Sequence, residues 1–131
     1  MSRSLQPESR PTEAVVLIAH GSRLAEANDD AHWMAEQLRR RGAGQAVEVA
    51  FLELAEPTIE SAAARCVAAG ASRVRLLPYF LSPGQHVRRD LEAWRQRLTE
   101  RFPATAFQLC EPIGRHRLLV DVLGDRLGEG A

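Results

Sequence analysis

The stretch AVVLIAHGS, Ala14–Ser22, constrains this chain more than any other: a fully apolar run stops abruptly at a histidine, a glycine and a hydroxyl. A short apolar run with β-branched members is the pattern of a strand buried on both faces, found in parallel sheets covered by helices. His20 then stands at the carboxyl end of that strand. Ligands of open α/β sheets bind outside the carboxyl ends of the strands, so a titratable residue in the first βα turn is placed where function resides. A histidine there can also do no more than end the strand and bond a loop carbonyl.

A repetition favours the functional alternative. A second apolar run, Val47–Leu54 (VEVAFLEL), carries Glu53 at its far end, and a third, Val74–Leu81 (VRLLPYFL), is followed at a helix start by His86. His20 and Glu53 are 33 positions apart, and Glu53 and His86 are again 33 apart. One βα unit takes roughly 30 residues or more, so the spacing predicts three groups at one edge of the sheet. Two imidazoles and a carboxylate suit first-row divalent ions such as Co²⁺, Fe²⁺, Ni²⁺ or Zn²⁺, and are too rich in nitrogen for Mg²⁺ or Ca²⁺.

Between the strands, apolar spacing predicts helices. The first runs from about Ala25 to Arg41 with Ala27, Ala31, Met34 and Leu38 on one face. The second is begun by Pro57 and Thr58 and shows Ile59, Ala62, Ala63, Cys66 and Val67. The third runs from His86 to about Arg101 with Val87, Leu91, Trp94 and Leu98, and the last spans about Leu118–Leu127. A fourth strand is expected over Thr105–Cys110. Four strands alternating with helices predict a doubly wound parallel α/β sheet with helices on both faces. The loop after the fourth strand brings His116 to the same edge as the other three groups. His32, on the first helix, reads as a solvated or packed side chain.

At 131 residues and 45% hydrophobic composition the chain suits one domain, expected over residues 14–128. Residues 1–13, polar and proline-containing, read as a disordered tail. Seventeen basic and seventeen acidic residues cancel, which argues against nucleic acid or a membrane surface as partner. No apolar run approaches the roughly 20 residues of a membrane span. The chain is therefore expected to be soluble and cytoplasmic. Cys66 and Cys110 fall on an expected buried helix face and buried strand, without CxxC spacing, and read as reduced structural thiols.

The segments LIAHGSR, VAFLELAEPTIE and LLPYFLSPGQHVRRD resemble the signature stretches of the short, single-domain sirohydrochlorin chelatases, class II enzymes that insert cobalt for cobalamin or iron for siroheme. The resemblance runs from about Val15 to Leu127. It implies a flavodoxin-like sheet of the chelatase type, with His20, Glu53 and His86 as metal-binding and catalytic groups. The divalent metal would be a substrate, with no permanently bound cofactor. A tetrapyrrole with eight carboxylates would be the other substrate. Arg23, Arg88, Arg89, Arg115 and Arg117, on the loops of the active edge, could pair with those carboxylates, and His116 could touch the same ligand. A broad, flat macrocycle and a shallow single domain imply a homodimer.

Two other readings compete. LIAHG is similar to the R-H-G turn of the histidine phosphatases, but Ala19 stands where that chemistry needs a phosphate-binding arginine. A non-catalytic metal or tetrapyrrole carrier would use the same site without accelerating insertion.

Overall fold

The computed structural model describes residues 12–128. Eight elements alternate along the chain: β1 (Glu13–Ala19), α1 (Ala25–Arg40), β2 (Ala46–Phe51), α2 (Ile59–Ala68), β3 (Arg73–Pro78), α3 (Gln85–Arg101), β4 (Ala106–Leu109) and α4 (Leu118–Arg126). The strands form one sheet in the order β2-β1-β3-β4, and every pairing is parallel. The carboxyl ends of all four strands therefore open onto one rim.

The apolar run of β1 explains its central place. Its side chains alternate between faces, and both faces are covered. Val16 and Ile18 pack with Val74, Leu76 and Phe107 against Ile59, Ala62 and Cys66 of α2 and Leu91 and Leu98 of α3. Val15 and Leu17 pack with Val47, Val49 and Phe51 against Ala31 and Ala35 of α1. At the opposite end of the sheet, Arg73 and Arg75 both reach the carboxylate of Glu13, at 2.8 and 3.4 Å.

Several boundaries differ from those expected. β2 ends at Phe51 rather than Leu54, because the chain turns at Leu54, whose φ is +66°. β3 ends at Pro78 rather than Leu81, and Tyr79–Leu81 join the following loop. Ala27 is exposed and Ala35 takes its place in the core. Cys110 lies just past β4 and is only half-buried, while Cys66 is fully buried; both thiols are unpaired. Residues 1–11 of the expected tail lie outside the described residues, but Thr12 and Glu13 belong to the fold. The Thr12 N–H donates to Ser72 Oγ at 2.8 Å, and Glu13 opens β1. No helix among the described residues is long and apolar enough to cross a membrane.

α2 begins at Ile59, one residue later than Pro57 and Thr58 suggest, because Thr58 is its cap: Oγ1 accepts from the Ser61 N–H at 3.1 Å. Replacing Thr58 with alanine orphans that donor. The expected loss is about 1 kcal/mol of stability, read from the midpoint of a urea transition.

Candidate active site

His20 is the first residue after β1, and Glu53 is the second after β2, the strand beside it. Their proximity is set by backbone as much as by side chains. The Glu53 N–H donates to the His20 carbonyl at 3.1 Å. Gly21 follows with φ +101°, and a Cβ placed on it would lie 1.8 Å from the Glu53 carbonyl oxygen. Only glycine permits both that conformation and that approach.

The result is a pair: His20 Nε2 stands 3.2 Å from Glu53 Oε2, each side chain 57% exposed. Nitrogen and oxygen donors on one first-row ion, each at about 2.1 Å, are separated by about 3.0–3.4 Å across a right or tetrahedral angle. The bite of the pair matches. The Phe80 ring meets the His20 imidazole edge-on, centroids 6.2 Å apart and planes at 87°, which limits its swing.

The turn into α1 is locked by residues with no metal chemistry. Ser22 N–H donates to Asn28 Oδ1 at 3.0 Å, and Asn28 Nδ2 donates back to the Ser22 carbonyl at 2.9 Å. Ser22 Oγ accepts from the Leu24 N–H at 3.1 Å, so it stabilises the turn and does not cap α1, whose cap residue is Leu24. An open cleft of about 270 Å³, bordered by His20, Asn28, Phe51 and Tyr79, lies over this turn.

His86 does not join the pair. It is exposed in the first turn of α3, which starts only after a six-residue loop beyond β3. Among the described residues no group of three or more His, Cys, Asp or Glu side chains is placed to hold a metal ion. His116 acts locally, its Nδ1 accepting from the Leu118 N–H at 3.1 Å at the start of α4. Loops three and four are tied together, since the Ile113 N–H donates to the Phe80 carbonyl at 3.0 Å and a Cβ on Gly114 would fall 2.0 Å from the Leu81 carbonyl.

Away from the carboxyl rim, seven of the described arginines pair with glutamates, while Arg41 and Arg126 make no ion pair among the described residues and Arg97 lies over the Trp94 ring. Arg39 and Arg40 pair with Glu36, Arg65 with Glu48, Arg73 and Arg75 with Glu13, Arg95 with Glu92, and Arg101 with Glu60. Arg23, Arg88, Arg89, Arg115 and Arg117, all exposed on the loops and helix starts of the carboxyl rim, make no ion pair among the described residues. The rim thus keeps guanidinium groups free for an external anion.

Sequence reasoning missed Phe80 and Asn28. Phe80 lies in an apolar run assigned to strand, and Asn28 sits among ordinary polar residues of α1; neither carries a signal of its own in one sequence.

The chain is 34% identical to the sirohydrochlorin ferrochelatase of Priestia megaterium over 129 residues, which is 98% of this chain and 48% of that one. The CbiX protein of Marinobacter aquaeolei VT8 superposes with a TM-score of 0.79 at 29% identity, over 90% of this chain and 96% of that one. The sirohydrochlorin chelatase SirB of Bacillus subtilis subspecies spizizenii, solved in complex with cobalt, gives a TM-score of 0.82 at 29% identity, over 90% of this chain and 50% of that one. The chain spans about half the length of the curated relatives it matches. Residues 14–130, from β1 onward, match the CbiX family model, and the chain belongs to the CbiX family.

Proposed function

We propose that this protein inserts Co²⁺ or Fe²⁺ into sirohydrochlorin. The observation that carries the reading is the His20–Glu53 pair on the carboxyl rim in a chain of the CbiX family; relatives named for sirohydrochlorin and a neighbour solved with cobalt support it.

Insertion places the ion on the pyrrole nitrogens and releases two N–H protons. The protein must hold an ion loosely and accept protons beside it. A pair of donors suits an ion that has to leave better than a closed four-ligand cage does. In this reading His20 and Glu53 hold the incoming ion and take the protons. Both are more than half exposed, so the protons pass on to water. His86, on the same rim, is assigned the third metal-binding and catalytic place, reached when ion and macrocycle are bound. Arg23, Arg88, Arg89 and Arg115 take substrate carboxylates as charge-assisted pairs, with Arg117 and His116 on the same loop.

A second copy is part of this reading. α4 buries only Gly124 and exposes Leu118, Val120, Val122 and Leu123, with Leu127 exposed just past its end. A homodimer would supply the cover over a broad, flat macrocycle that the shallow rim of one domain lacks. So is a cytoplasmic setting, in keeping with thiols left unpaired.

The test is insertion into sirohydrochlorin followed by absorbance, with Co²⁺, Fe²⁺ or Ni²⁺, in the presence and absence of protein. Acceleration is expected. Equal rates alongside tight binding would replace the enzyme with a carrier. Glu53→Gln keeps the shape and removes the charge; it is expected to raise the metal concentration for half-maximal rate about ten- to a hundredfold.

A further inference from the structure

A second cavity lies on the same rim, beyond the carboxyl ends of β3 and β4. It has a volume of about 100 Å³ and is walled by Pro78, Pro83, Leu91 and Cys110, with Arg88 and Glu111 also on its lining. Pro78, Pro83 and Leu91 give the cavity an apolar side, opposite lining that is polar. Polar chemistry is concentrated in one guanidinium, one carboxylate and one thiol. Burial pushes the Cys110 thiol up, against a smaller pull from Arg75, so near neutral pH it stays an uncharged weak donor.

Arg88 and Glu111 border the same cavity yet form no ion pair among the described residues. The guanidinium is left for a ligand. The space, roughly that of three waters, excludes a ring system and admits a short carboxylate-tipped chain. In the sheet order β4 is two steps from β1, about 10 Å at the usual strand spacing. That is comparable with the reach from the centre of a tetrapyrrole to the tip of a peripheral carboxylate.

We infer that this cleft seats one carboxylate arm of the macrocycle, with Arg88 as its charge partner and Cys110 at its wall. The inference rests on the chelatase reading and adds to it a subsite that fixes the rotation of the ring over His20. A guanidinium–carboxylate pair is charge-assisted and can be bidentate, which fixes the arm's orientation. Glu111, exposed on the same lining, opposes the anion.

The test is alkylation of Cys110 by iodoacetamide at mildly alkaline pH, followed by peptide mass spectrometry with and without sirohydrochlorin. Cys66 reports on the fold, since its thiol is fully buried and pushed up to about 11. Bound macrocycle is expected to slow Cys110 labelling about tenfold while Cys66 stays unlabelled. Arg88→Gln should require about tenfold more macrocycle for the same protection, and Glu111→Gln should require less. Propionate alone at equal carboxylate concentration should not protect. If quenching of Trp33 and Trp94 shows binding while Cys110 labels at its free rate, or if Arg88→Gln is protected like the wild type, the subsite is overturned and the chelatase reading stands. Absence of any macrocycle binding would overturn both.

Discussion

Replacing His20 with alanine is expected to slow metal insertion into sirohydrochlorin by about 10²–10⁴-fold, the usual contribution of a positioned acid–base group. The imidazole is one of two donors whose separation matches a single ion, with Nε2 3.2 Å from Glu53 Oε2. Its removal leaves a lone carboxylate that neither holds the ion nor takes both protons. Because the side chain is 57% exposed, the fold should survive, with stability changed by about 0.5 kcal/mol or less. The measurement is the insertion rate beside a thermal melt: a lost rate with an unchanged melt supports the site, whereas a collapsed melt would make His20 structural. His86→Ala belongs in the same series. A comparable loss is expected if His86 meets the ion in the bound state, and an unchanged rate would remove it from the mechanism.

Gly21→Ala should be among the most damaging single substitutions on the rim. At φ +101° an L-residue costs about 1–2 kcal/mol. The added Cβ also meets the Glu53 carbonyl at 1.8 Å, a collision with backbone that costs about 1–3 kcal/mol more to relieve. The expected loss is about 2–5 kcal/mol in urea denaturation, with insertion falling as Glu53 is pushed from His20. Gly70→Ala is the control. Gly70 has φ +99° but nothing within 4 Å of its Cβ position, so only the conformational part should appear, and equal losses at both positions would show that the clash with Glu53 is relieved without cost.

The fold was largely legible because apolar periodicity is written locally. The face Ile59, Ala62, Ala63 and Cys66 is buried as its spacing predicts, and so are Leu91 and Leu98. Strand ends were less legible. In VAFLEL and LLPYFL the apolar character continues past Phe51 and Pro78, since residues that cover the rim are as apolar as those inside the sheet. Ala27 failed as a core residue for a related reason: it starts α1 beyond the sheet edge, bordering the cleft over His20. The 33-residue spacing placed His20 and Glu53 on neighbouring strand ends, and their meeting depends on a glycine whose conformation no periodicity reveals. His86 has the same spacing, but a count of residues carries no information on how far a six-residue loop holds a helix from the strand before it.

The stitching of loop three to loop four has a consequence for how the protein tolerates change. Phe80 touches His20 through its ring and Ile113 through its carbonyl, while Gly114 lies flat on Leu81. The segment bearing Arg115, His116 and Arg117 therefore inherits any displacement of Phe80 or Leu81. An insertion in either loop is therefore expected to displace the other through these contacts.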